Sequence, residues 1–135
     1  MQCRNTQQYT RQKGALAEQY AATFLYRRGY TILHRNWRVR MGEIDIIARN
    51  GRTLVFVEVK ALVTQRSPNK ARNPAYFPED HVDERKAARL ARLAELFLVK
   101  HAAWSYDYQI DVIAVLIDRQ RKKAIIRHYP NAISV

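Results

Sequence analysis

The chain has 135 residues and a mass of 15.9 kDa, with 24 Lys and Arg against 12 Asp and Glu, a formal charge of +12 and a pI near 10.3. At 47% hydrophobic and 10% aromatic residues it is too apolar for a disordered basic tail, and a domain of this length buries about 68% of its unfolded surface, enough for one core. The excess charge therefore belongs on the outside of a folded body, where sustained positive potential favours polyanions, nucleic acid above all.

Cys3 is the only cysteine, which excludes an intrachain disulfide and a cysteine-built metal site. The opening MQCRNTQQYTRQKG holds no apolar core of a leader, and no run approaches the ~20 apolar residues of a membrane helix. The expectation is a cytoplasmic protein without a membrane segment. Residues 1–10 read as a flexible tail and 11–135 as one domain.

Residues 11–28 carry helical periodicity, with Leu16, Tyr20 and Phe24 in one row, Ala17, Ala21 and Leu25 in another, and Gly29 as the stop. A strand follows over 30–41, where Trp37, Val39 and Met41 alternate with Arg38 and Arg40. Ile44–Ala48 and Leu54–Val59 are β-branched runs joined by Arg49-Asn50-Gly51-Arg52, and Asn-Gly between such runs signals a hairpin. From Ala61 to Val82 periodicity vanishes and Pro68, Pro74 and Pro78 mark a long loop. Asp83 is an N-cap for a helix over 84–101, whose Leu90, Leu93, Ala94 and Phe97 face the core. Gln109–Ile117 is apolar on both faces, hence a central strand, and Ala124–Tyr129 forms the last. The order α-β-β-β-α-β-β implies an α/β fold, a mixed central sheet flanked by helices.

The charge is uneven. The first forty residues set eight basic side chains against a single acid, Glu18, and the next acids, Glu43, Asp45 and Glu58, fall in the most apolar strands. A two-residue Asn50-Gly51 turn puts Asp45 opposite Phe56 and Glu43 opposite Glu58. Glu43, Asp45, Glu58 and Lys60 then share one face, with Asp45 and Glu58 as diagonal neighbours roughly 7–8 Å apart. Carboxylates so placed suit Mg²⁺, a hard cation that accepts one or two of them and keeps its waters, and that can activate water against a phosphodiester. Lys60 would orient that water or stabilise charge on the phosphorane. Taken singly, Asp45 and Glu58 read more readily as salt-bridge partners of Lys60, Arg38 or Arg49, and it is their shared face inside an apolar hairpin that points to a site. Glu43 reads as a rim charge. Glu18 shares a helix face with Gly14, Ala15, Ala22 and Leu25, which either brings it to the cluster or leaves it in a helix ion pair. Asp111, inside an apolar strand, reads as a hydrogen-bonded structural acid. The four histidines lack ligand spacing for zinc. Trp37, Tyr76 and Phe77 suit packing more than base stacking.

Asp45, a gap of twelve residues and Glu58-Val59-Lys60 resemble the active-site motif of the PD-(D/E)xK nuclease superfamily. KGALAEQYAATFLYRRGYTILHRNWR, GEIDIIARNGRTLVFVEVK, VDERKAARLARLAELFL, IDVIAV and HYPNAI extend the match, and the chain resembles the bacterial YraN-like proteins along nearly its whole length. The resemblance implies a restriction-endonuclease-like fold, with Asp45 and Glu58 as ligands for one or two Mg²⁺ or Mn²⁺ ions, Lys60 as the catalytic lysine and Glu18 as the helix acid completing the site. Ala61 and Leu62 depart from the family's usual polar or aromatic residue followed by Arg, and the loop over 62–80 is longer and richer in proline. Both departures bear on substrate contact.

Two functions compete. One is a Mg²⁺-dependent nuclease on DNA, including branched or damaged DNA, with Arg35, Arg38, Arg40, Arg66, Lys70 and Arg72 gripping phosphates. The other is a non-catalytic nucleic-acid-binding module on the same scaffold. A ribosome or RNA partner is a third reading, with DNA favoured over RNA. A homodimer suits two-fold substrates, although no oligomer surface is legible.

Overall fold

The computed structural model describes residues 2–64, 83–118 and 120–134. Its elements follow the expected order: α1 (Gln2–Arg27), β1 (Thr31–Val39), β2 (Gly42–Asn50), β3 (Thr53–Thr64), α2 (Glu84–Lys100), β4 (Asp107–Asp118) and β5 (Lys123–Ile133). The strands form one five-stranded sheet in the order β1-β2-β3-β4-β5. Strands β3 and β4 are parallel and the other neighbours antiparallel, so the sheet is mixed.

Each helix covers one face. Ala17, Ala21, Ala22 and Leu25 of α1 pack on Ile46, Ala48, Val55, Val57, Ile113 and Val115. Leu90, Leu93, Ala94 and Phe97 of α2 pack on Ile44, Ile47, Phe56, Ile110 and Val112. Phe56 is enclosed edge-on by Phe97 and Tyr108. Trp37 lies edge-on to Phe97, a packing role. The alanine row of α1 is buried while Leu16 is 44% exposed, because small side chains let the helix approach the sheet closely. Strand β4 is central, buried from Ile110 to Val115.

Three boundaries differ from the sequence reading. Helix α1 starts at Gln2 rather than at residue 11: nothing before Gly14 breaks a helix, and apolar periodicity cannot mark a polar one. Strand β3 runs on through Thr64, its Ala61–Thr64 pairing with Val115–Asp118, so the expected loop begins later. Of that loop, 65–82 lies outside the described residues, and with it Arg66, Lys70, Arg72, Tyr76 and Phe77. The hairpin also slips. Asn50 pairs with Thr53, so Gly51 and Arg52 form the turn. Gly51 has φ 61°, the positive value that a type II′ turn demands at its first central position.

Asp111 is completely buried on β4. It accepts hydrogen bonds from Gln109 Nε2 at 2.9 Å and Asn131 N at 2.8 Å, and pairs with His128 Nε2 at 2.6 Å. Asn131 has φ 51°, and the β4–β5 register shifts between Ile110 and Val112. The carboxylate therefore fastens the end of β5 through its irregular step, the structural role its sequence position suggested. Asp111→Ala should cost about 3 kcal/mol by stranding these donors, with Asp111→Asn recovering part of it; urea unfolding measures both.

Candidate functional site

Pairing between β2 and β3 runs from the turn only as far as Ile46–Val57. Asp45 and Glu58 come next along the two strands, just past the last paired residues, and the charge of Glu58 acts on Asp45. On β3 the alternation is regular, and Glu58 follows Phe56 on the face that α2 covers. Beyond this point β2 continues to pair with β1 alone, and Ile44 and Ile46 enter cores on opposite faces of the sheet. The regular alternation is broken at Asp45. Across from it on β1, Asn36 adopts φ 53°.

The parting of the strands leaves the Val59 amide without its β2 partner, and Asp45 Oδ2 accepts that N–H at 2.8 Å. Burial pushes the Asp45 carboxyl up to about 7, helped by the charge of Glu58 and more weakly by those of Glu18 and Glu43, against the lowering effect of the Val59 bond. Glu58 is only 7% exposed. Its Oε1 lies 2.5 Å from Lys86 Nζ and 3.9 Å from Lys60 Nζ. Burial, then the hydrogen bond and charge of Lys86, lower the Lys60 pKa. Burial works against the Lys86 charge too, but hydrogen bonding to Glu58 and Lys60 raises its pKa on balance. Of the two amines, Lys60 is the readier to give up a proton.

The structure thus brings together Asp45, Glu58 and Lys60. Glu18 is half-buried on α1, and its charge is felt at Asp45. Glu43 turns to the rim, where it pairs with Arg38 at 2.9 Å. Arg35 donates to Gln19 Oε1 of α1 at 3.0 Å, and Arg40 is exposed in the β1–β2 turn. Among the described residues no group of three or more His, Cys, Asp or Glu side chains is arranged to hold a metal ion. The two carboxylates nonetheless suit Mg²⁺ or Mn²⁺, which need only one or two from the protein and take the rest from water and phosphate. The donor set is all oxygen, and the raised Asp45 pKa marks a place where added positive charge is favourable.

Lys86 is the residue sequence reading missed. It occupies the third position after the N-cap Asp83, whose Oδ1 accepts the Lys86 N–H at 2.8 Å. An ammonium at a helix N-terminus opposes the helix dipole, and that mismatch is the local signal of a tertiary partner.

Residues 17–115 match Uncharacterised protein family UPF0102. A UPF0102 protein of Roseiflexus castenholzii is 40% identical over 121 residues, covering 89% of this chain and 91% of its own. One from Caldicellulosiruptor saccharolyticus is 38% identical, covering 90% of this chain and 97% of its own. One from Beutenbergia cavernae is 42% identical, covering 78% and 83%. No helix among the described residues is long and apolar enough to cross a membrane.

The Asp45 pKa fixes the sign of a stability effect. A carboxyl whose folded pKa lies above its unfolded value of 3.8 costs the folded state nothing at low pH. The penalty grows as pH rises between the two values and is fully present above about 7. In EDTA, Asp45→Asn, which keeps an acceptor for Val59, should raise the melting temperature at pH 8 by roughly 5 °C, and the gain should shrink by more than half at pH 5. Thermal unfolding followed by circular dichroism at the two pH values checks this.

Proposed function

The chain belongs to Uncharacterised protein family UPF0102, and for this member we propose a Mg²⁺- or Mn²⁺-dependent nuclease that hydrolyses phosphodiester bonds of DNA. The observation that carries the reading is Asp45 within reach of the charge of Glu58 where the β2–β3 ladder ends, with Lys60 beside Glu58. The acid, the spacing and Glu58-Val59-Lys60 agree with the PD-(D/E)xK pattern, and the mixed sheet with a helix on each face is compatible with a restriction-endonuclease-like fold. The formal charge of +12 supports a polyanionic substrate in the cytoplasm.

In this reading Asp45 and Glu58 hold the ion, which supplies polarisation of the phosphoryl oxygen and a more acidic water. The hydrogen bond from Val59 to Oδ2 would help fix the Asp45 carboxylate as a ligand. Lys60 orients the attacking water through Nζ, and its lowered pKa suits it to exchange a proton there. Arg38, Arg40 and Arg35, carried on or just after β1, grip flanking phosphates, with Arg66, Lys70 and Arg72 beyond the described residues in the same role. Branched DNA with two-fold symmetry would engage a homodimer.

The test is cleavage of labelled linear, flapped and four-way DNAs with Mg²⁺ or Mn²⁺. Lys60→Ala should lower cutting by about 10²–10³-fold while DNA affinity changes by less than about threefold, since phosphate contacts elsewhere supply most of the binding. Highly purified wild-type protein that binds the panel and cuts none of it would overturn the assignment in favour of a binding module.

A further inference from the structure

Glu58 already has a cation. The Lys86 ammonium lies 2.5 Å from its Oε1, far closer than Lys60 at 3.9 Å. The two lysines are held differently. Lys60 projects from β3, its side chain 23% exposed, whereas Lys86 reaches over from the first turn of α2 with its side chain 36% exposed. A four-carbon stem rooted near the surface lets an ammonium leave for water without moving the backbone. Nothing in the helix itself favours keeping the charge there, because the dipole at this end repels it. Its position is set by Glu58.

We propose that Lys86 is a tethered counter-ion, which holds the place of the divalent cation on Glu58 and is displaced when that cation binds. The inference rests on Asp45 and Glu58 being the cation's ligands. A singly charged ammonium and a divalent ion cannot share one carboxylate oxygen without strong repulsion at contact distance. A divalent ion that takes Oε1 therefore requires the ammonium to leave it. In the metal-free protein Lys86 spares the nearly buried Glu58 an uncompensated charge, a state that is costly in a low-dielectric setting. In the loaded protein it is released to solvent as a free ammonium.

Titration calorimetry with Mn²⁺ alone, without DNA, tests this on wild type, Lys86→Gln, Lys86→Arg and Asp45→Asn. Lys86→Gln should bind Mn²⁺ about tenfold more tightly, the scale of one partly buried ion pair, while Lys86→Arg, which keeps the charge, should stay near wild type. Thermal unfolding gives a second readout. Lys86→Gln should melt below wild type in EDTA, and Mn²⁺ should lift its melting temperature by more than it lifts that of wild type. Equal or weaker Mn²⁺ binding by Lys86→Gln, with binding lost in Asp45→Asn, would overturn the displacement and leave the ligand pair standing. Absence of Mn²⁺ binding in every protein would overturn the ligand pair and the displacement with it.

Discussion

The amide of Val59 is released where β2 parts from β3, and Asp45 takes it. A backbone N–H in the middle of a sheet needs a partner, and here a side chain replaces the strand that has moved away. That substitution determines much else. It lets β2 turn across the sheet, so that Ile44 and Ile46 serve different cores. It also draws a carboxylate into a half-buried position beside the nearly buried Glu58, where two like charges cannot both be comfortable.

What relieves that conflict comes from the other side of the sheet's connection. Strand β3 is parallel to β4, and the chain must cross over between them through α2. The crossover helix begins on the face that Glu58 occupies, and its first turn supplies Lys86. The result is an alternation of charge, Asp45 and Glu58 against Lys60 and Lys86, in which each member perturbs the next. Lys60 is the member whose charge is weakened, and Asp45 the member whose charge is most expensive. Burial and like charge thus raise the pKa of one acid and lower that of one ammonium here, whereas the ion pair of Arg38 with Glu43 lies in an exposed surface setting.

The sequence made the order of elements and both helix faces legible, because period and β-branching report burial directly. Leu90, Leu93, Ala94 and Phe97 are buried as their spacing required. The nearness of Asp45 to Glu58 was legible for a less direct reason: the turn lies one residue further along than Asn-Gly suggested, and that slip shifts each partner by two, which keeps Glu58 close to Asp45. Local chemistry could not reveal the end of the ladder. Whether Gly51 opens the turn or closes it depends on strand twist and packing outside the turn, and where β2 leaves β3 depends on contacts with β1. Lys86 carries a local signal in its clash with the helix dipole, but its partner Glu58 is identified only once β3 is placed beneath the first turn of α2.

Ligand sites in α/β sheets gather beyond the carboxyl ends of parallel strands, where the chain turns from strand to helix and backbone and side chains have room to diverge. Glu58 and Lys60 lie about the middle of the 12-residue strand β3, just past the end of its pairing with β2, and Lys86 lies just after the N-cap of the helix that follows. Strand β2, antiparallel to β3, arrives from the opposite direction and stops pairing at that same level, so Asp45 meets them from the side. The basic residues of β1 are carried along by β2, through the pairing of Arg38 with Glu43 and of Arg35 with Ile46. Those basic residues are thereby held close to the place where β2 leaves β3, beside Asp45 and the nearly buried Glu58. The excess of positive charge and the few carboxylates within it are thus two consequences of one topology.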